Sequence, residues 1–406
     1  MRYCVIAVLA GCSFKSGNPQ THDDGSVVVV DAPIIAIDAP DIDAPPACTL
    51  WHPHHFAPCN IGAPSGPMDL GNASGYVYNT TSGTLVDSAG TPITHANIQI
   101  DQNGQAAWLM NVQSFTLHAG STLRVIGNKP LIIASWDTID VSGTIDATSS
   151  SGTNLAGAGS NPTALCTAPA AGGDSVATSG GSGGGGGGAF GGDGGAGGIG
   201  DSPPGPIGGN GGTHVAAPHI VRGGCNGAVS GKAGPGDAGN PNAVSNAGVG
   251  GGGIQLTAQH ALTVSGKVLA GGSGGGGAPN GSAAGGGGGG SGGYIGLEGV
   301  AVTLAGVIAA NGGGGGASAA FVDTGTPGQD AQPSATAANG APHQCTGTSD
   351  GGAGGTTGNG ATVTGNNNCG GGGGGGSTGF VLTFGATNAP GTVSPPALHD
   401  VFVSPN

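Results

Sequence analysis

The chain has 406 residues, and its 95 Gly and 27 Pro make up about 30% of it, a level that without a collagen triplet usually marks low-complexity sequence. Seven basic residues stand against 21 acidic ones, for a formal net charge of −14, so no basic patch is available to neutralise phosphates and nucleic-acid binding is excluded. Glu298 is the only Glu, and good helix formers are scarce throughout. The short Val, Ile and Leu clusters therefore predict an all-β chain rather than a helical one.

In chain order, Met1-Arg2-Tyr3 supplies a positive charge, Cys4 to Leu9 is a short apolar stretch, and Ala10-Gly11-Cys12 follows at once. Charge, apolar run and small residues in that order read as an export signal over residues 1–11. Leu9-Ala10-Gly11-Cys12 resembles the lipobox of bacterial lipoproteins. That resemblance implies lipid on Cys12, cleavage before it, and Ser13 compatible with sorting to an outer membrane. The expected location is therefore the outer membrane or cell surface, with the membrane met only through the N-terminal lipid, since several acyl chains hold a protein firmly.

Residues 12–47 form a linker. Asp31-Ala32-Pro33, Asp38-Ala39-Pro40 and Asp43-Ala44-Pro45 repeat one motif, in which proline enforces extended geometry on its predecessor. At roughly 3.1 Å per residue, a spacer of about 35 residues reaches about 100 Å. Residues 48–104 are expected to be a disulfide loop and cap, 105–395 the body, and 396–406 a tail.

Of the eight cysteines, Cys4 belongs to the signal and Cys12 to the anchor. The remaining six in an exported chain read as disulfides, for which the sequential pairing Cys48–Cys59, Cys166–Cys225 and Cys345–Cys369 is expected. Between the first two lie His52, His54 and His55. Two cysteines and three histidines are zinc-ligand types, but the spacing lacks the second ligand pair of a closed site. A disulfide loop is the favoured reading and a metal site the weaker one; no cofactor is implied.

The body repeats. Leu131-Ile132-Ile133-Ala134, Ile139-Asp140-Val141-Ser142-Gly143 and Thr144-Ile145-Asp146 recur as Ile254 to Thr257, Leu262 to Gly266 and Lys267 to Leu269. They recur again as Ile295 to Glu298, Val302 to Gly306 and Val307 to Ala309. Phe380 to Thr383 opens a degenerate copy ending at Gly391. The period of two marks strands, and units that cannot bury an apolar face singly are expected to stack. The preferred architecture is an irregular right-handed parallel β-helix, or solenoid, with long glycine-rich loops; the alternative is a β-sandwich with disordered excursions. At Phe190 to Ile199 the tract takes a Gly-Gly-X rhythm that resembles the glycine-rich region of PE-PGRS cell-surface proteins. The arrangement over roughly 105–395 also resembles glycine-rich β-solenoid surface lipoproteins of gliding, predatory soil bacteria. Physically, such a tract can form extended threefold helices that pack closely because no Cβ separates the backbones.

Catalytic motifs are scarce. Gly-x-Ser-x-Gly matches by chance in so glycine-rich a chain, and no match follows a strand and opens a helix. The best enzymatic constellation is Asp137, Asp140 and Asp146 with Arg124, since carboxylate pairs serve glycoside hydrolysis and a lyase needs a base. Alternation turns Asp140 and Asp146 outward, where solubilising side chains are the commoner use. Trp108, Trp136 and Tyr294 are candidates to stack on sugar or to pack the core. A non-enzymatic surface protein, structural or adhesive and meeting polysaccharide or other surface components, is the favoured function. A β-helix polysaccharide lyase or hydrolase and a metal-stabilised polysaccharide-binding protein are the alternatives.

Overall fold

The computed structural model describes residues 47–71, 75–152, 155–162, 164–176, 180–201, 205–235, 239–319, 323–343, 350–364 and 369–400. Cys4, Cys12 with the signal and most of the linker, Cys345, and the last residues of the tail lie outside them. The chain separates into residues 1–44 and a unit from Pro45 onward.

That unit is all-β. Its strands are β1 (Met68–Leu70), β2 (Gly75–Asn79), β3 (Thr84–Asp87), β4 (Ala96–Gln102), β5 (Gln105–Val112) and β6 (Phe115–Leu117). There follow β7 (Thr122–Ile126), β8 (Leu131–Ser135), β9 (Ile139–Val141), β10 (Thr144–Asp146), β11 (Gly253–Ala258) and β12 (Ala261–Val264). The last are β13 (Lys267–Leu269), β14 (Tyr294–Leu304), β15 (Val307–Ala309), β16 (Phe380–Asn388), β17 (Thr392–Ser394) and β18 (Leu398–His399). An 11-stranded sheet runs β1-β6-β9-β12-β14-β11-β8-β5-β4, with β16 and β18 joined through β14; a 7-stranded sheet runs β17-β15-β13-β10-β7-β2-β3. Only the β2/β3 and β4/β5 hairpins are antiparallel, whereas every other described pair is parallel.

The repeats seen in the sequence stack on one another in register. Leu131 pairs with Ile254, Ile254 with Ile295, and Ile295 with Val381, so the last copy sits one residue along from its apparent start at Phe380. The turn glycines stack as well: Lys267 N–H donates to Gly143 O at 2.8 Å, Val307 to Gly266 O at 2.9 Å, and Thr392 to Gly306 O at 2.9 Å. A Cβ on Gly266, Gly306 or Gly391 would fall well inside contact distance of the carbonyl of the glycine before it, which is why each turn keeps one. Ile133, Leu256, Leu297, Ile145, Val268 and Ile308 from successive copies meet in one buried apolar cluster. Full burial of such side chains contributes about 1.5–3 kcal/mol each.

The glycine excursions leave the ends of β10, β13 and β15 and form an ordered hydrogen-bonded array. The direction of each N–H rotates with a period of three. Gly183 and Gly186 donate to Gly173 and Ala170, Gly184 and Gly187 to Gly198 and Gly195, and Gly185 and Gly188 to Gly286 and Gly289. The carbonyls of the same six residues accept from three further segments: Gly231 and Ala228, Gly209 and Gly212, Gly374 and Ser377. Residues 183–188 thus have six neighbouring segments, the geometry of extended threefold helices that make no internal hydrogen bonds and bond only sideways. With a neighbour in every direction no side chain fits, so this stretch is glycine throughout. The edge segment 190–199 has an open side, and its Asp193, Ala196 and Ile199 occupy it. At such edges side-chain oxygens replace absent neighbours: Asn359 Oδ1 accepts from Asp193 N at 2.9 Å and Thr362 Oγ1 from Ala196 N at 3.2 Å. Every backbone N–H and C=O of residues 183–188 is therefore paired with backbone of another segment, and no side chain takes part.

Cys48–Cys59 and Cys166–Cys225 are bonded as the sequential pairing anticipates. Cys369 is also disulfide-bonded.

Candidate functional site

A connected group of polar side chains lies on the outer face of the large sheet. Register places Thr257, Glu298 and Phe384 in one row across β11, β14 and β16. Tyr294 and Gln255 stand beside them on the same face, and Gly296 leaves the space that the Gln255 amide fills. The loop closed by Cys48–Cys59 folds over this face. Trp51 packs edge-on against Trp136 at 5.2 Å between centroids, and the His54 ring stacks on Phe384 at 4.1 Å.

Glu298 is only 7% exposed. Its Oε1 accepts from the His54 backbone N–H at 3.1 Å and pairs with His54 Nδ1 at 2.6 Å. Its Oε2 accepts from Thr257 Oγ1 at 3.1 Å and from Gln255 Nε2 at 3.4 Å. Two carboxylate oxygens offer about four lone-pair sites, and four donors converge on them. Tyr294 O–H donates to Gln255 Oε1 at 3.2 Å, so its one proton is used and His55 Nε2, 3.0 Å away, must be the donor to the tyrosine oxygen. A continuous chain of hydrogen bonds therefore links both histidines of the loop through the sheet face to one carboxylate.

The two histidines titrate oppositely. The bond to Glu298 and its charge hold His54 above its ordinary value, against the opposing effect of burial. Burial pushes His55 down to about 4, with the neighbouring His54 and His219 adding to it. Burial, with the charge of Glu298, raises the Tyr294 hydroxyl well above its usual range, so it stays a donor. Beside this network opens a cleft of about 230 Å³ lined by residues including Leu50, His52, Gln259 and Val300. A carboxylate with its acceptor sites filled is poorly placed to take a proton from a substrate; it is well placed to clamp a loop.

The residues singled out in the sequence are distributed as follows. Asp140 lies exposed on β9 of the large sheet and accepts from Ser142 Oγ at 3.0 Å. Asp146 lies on β10 of the small sheet and pairs with Arg124 of β7 at 2.9 Å, the two standing opposite each other in register. Asp137 pairs with His260 at 3.1 Å. The alternation correctly turns Asp140 away from the core, but the carboxylates fall on two sheets with separate partners. His54 and His55 are likewise engaged by different groups, and among the described residues no cluster of three or more His, Cys, Asp or Glu side chains has the arrangement of a metal site. Tyr294 is buried within the network, and Trp136 Nε1 donates to Asn111 Oδ1 at 2.8 Å. Glu298, Gln255 and Thr257 had no signal as site residues in the sequence beyond Glu298 being the single Glu.

Compared with known protein families, curated protein sequences and solved structures, the chain matches none.

Proposed function

We propose that the chain is an exported lipoprotein, held by lipid on Cys12, whose body is a stiff structural or adhesive element displayed beyond the membrane. In this reading the stacked repeats form a right-handed parallel β-solenoid, the hand that parallel crossover connections adopt, and the acidic proline-rich linker sets the standoff.

The observation that carries the proposal is the glycine array. Residues 183–188 are bonded to six neighbouring segments through the backbone alone, an arrangement that resists shear along several directions and offers no reactive side chain. The saturated hydrogen bonding of Glu298 and the division of Asp137, Asp140 and Asp146 among separate partners favour the same reading over a glycosidase or lyase. The outward positions of the edge segments, such as Asp193, Ala196 and Ile199, supply the face offered to polysaccharide or other surface components.

The test incubates the mature full chain in detergent with insoluble and soluble polysaccharides and with whole cells, scoring retention and product together. Retention without new reducing or unsaturated ends is expected, and product lost on Asp140→Asn overturns the reading in favour of an enzyme. Separately, Cys12→Ala should move the protein from the membrane to the soluble fraction; continued membrane retention refutes the anchor.

A further inference from the structure

Arg222 is a deeply buried cation in contact with a disulfide. It is 5% exposed, and its hydrogen-bond partners among the described residues are neutral. Nε donates to Gly223 O at 3.1 Å and Nη1 to Leu165 O at 2.7 Å. Nη2 lies 3.1 Å from Cys166 Sγ and 3.0 Å from Cys225 Sγ, so one guanidinium nitrogen touches both sulfurs of a disulfide. The guanidinium sits 4.5 Å over the Phe190 ring. Burial lowers Arg222 to about 10. A buried positive charge without a counter-ion is costly, and a disulfide is a weak, uncharged acceptor.

The two sulfurs differ in access. Cys225 is 1% exposed, whereas Cys166 is half-buried and lines a cavity of about 350 Å³ with Asn161, Ala168, Pro169 and Asn226. Of the two cysteines only Cys166 lines that cavity, while Arg222 touches both sulfurs.

We propose that the Cys166–Cys225 disulfide is a directional thiol-exchange site that captures a low-molecular-weight thiol on Cys166. The incoming thiolate forms a new S–S bond to Cys166 Sγ. The Cys166–Cys225 bond breaks, and its electron pair passes to Cys225 Sγ as a thiolate held by Arg222. No net oxidant is consumed, and the reverse attack by Cys225 on Cys166 expels the thiol and restores the disulfide. Among the described residues no carboxylate pairs with Arg222, so the thiolate supplies a counter-ion and favours the opened state. This inference is independent of the proposed surface role.

Cys48–Cys59 is the internal control, since among the described residues no arginine contacts its sulfurs. A leaving thiol of lower pKa departs faster. If the guanidinium lowers Cys225 by about 2 units, and the rate responds with a coefficient of about 0.5, similar to that of the attacking thiol, the acceleration is about tenfold. The experiment exposes the mature full chain in detergent to excess cysteine, quenches with acid at intervals, and maps the adducts by mass spectrometry. The expected product carries cysteine on Cys166 with Cys225 free, formed about tenfold more slowly in Arg222→Gln and largely recovered in Arg222→Lys, with opening of Cys48–Cys59 unaltered. An adduct on Cys225, or an Arg222→Gln rate equal to wild type, overturns it. Should Arg222→Gln fail to fold, the pH dependence of Cys225 alkylation in the wild-type adduct decides: a midpoint well below the ordinary thiol value of about 8.5 supports the site, and one at or above it overturns it.

Discussion

Gly187→Ala probes the glycine array directly. Gly187 N–H donates to Gly195 O at 2.8 Å, and Gly187 O accepts from Gly212 N at 3.0 Å. Its missing Cβ would point at the Gly375 carbonyl oxygen at far less than the 3.0 Å that real Cβ atoms keep, and that oxygen belongs to backbone rather than to a flexible side chain. The Gly375 oxygen also accepts from Gly195 N at 2.9 Å, so moving the Gly375 peptide aside breaks a bond between two buried groups. Overpacking a close-packed site costs about 1–3 kcal/mol, and leaving a buried donor or acceptor unpaired about 1–3 kcal/mol more. The entropy that alanine removes from the unfolded chain returns only about 0.4–1 kcal/mol. The net expectation is a loss of about 1–5.5 kcal/mol, a large share of a typical stability of about 5–15 kcal/mol. Gly358→Ala is the matched control, because a Cβ there meets nothing within 4 Å; its expected effect lies within about 1 kcal/mol of zero, on the stabilising side. Denaturant unfolding of both variants, followed by far-ultraviolet circular dichroism, measures the difference. Equal midpoints would falsify the view that the array is held by close backbone approach.

The clamp at Glu298 yields two more expectations. Glu298→Ala leaves His54, Thr257 and Gln255 without their shared acceptor and should cost about 1–3 kcal/mol, with proteolytic cleavage first appearing within residues 48–61; an unchanged melting temperature and digest refute the clamp. The histidines predict a stability maximum near pH 6.5, their ordinary value. His55 has its folded pKa lowered to about 4, so its contribution is complete above 6.5 and is lost as pH falls towards 4. His54 has its folded pKa raised, so its contribution is complete below 6.5 and is lost as pH rises through the folded value. Melting temperature against pH should show His55→Gln flattening the acid limb and His54→Gln the alkaline limb; a variant that flattens the opposite limb contradicts the assignment.

The repeat was legible because its signals are local. Ile139-Asp140-Val141 alternates, and Gly143, Gly266, Gly306 and Gly391 mark the same turn in each copy, where each glycine lies against the carbonyl of the one before. The Gly-Gly-X rhythm of 190–199 carried the threefold period for the same reason. Which segments surround 183–188 could not be read, since one backbone hydrogen bond to glycine looks like any other in sequence. The candidate site was hidden differently. His54 and Glu298 are 244 residues apart, and their meeting depends on how the cap loop lies over β14. Alternation tells which face of a strand Asp140 and Asp146 occupy, but not that β9 and β10 belong to different sheets. Arg222 is near Cys225 in sequence, yet its contact with Cys166 arises only because the disulfide brings that residue across 59 positions.

The threefold rotation of hydrogen bonds gives each excursion something like a reading frame. Inserting or deleting three residues in 190–199 returns Asp193, Ala196 and Ile199 to the open side and every remaining N–H to its former direction. A change of one or two residues shifts the phase and drives those side chains at the backbones of adjoining segments, where only hydrogen fits. Length variation in these tracts is therefore quantised: the molecule can lengthen or shorten by whole triplets at small cost, while single-residue slips act as frameshifts in the folded protein itself.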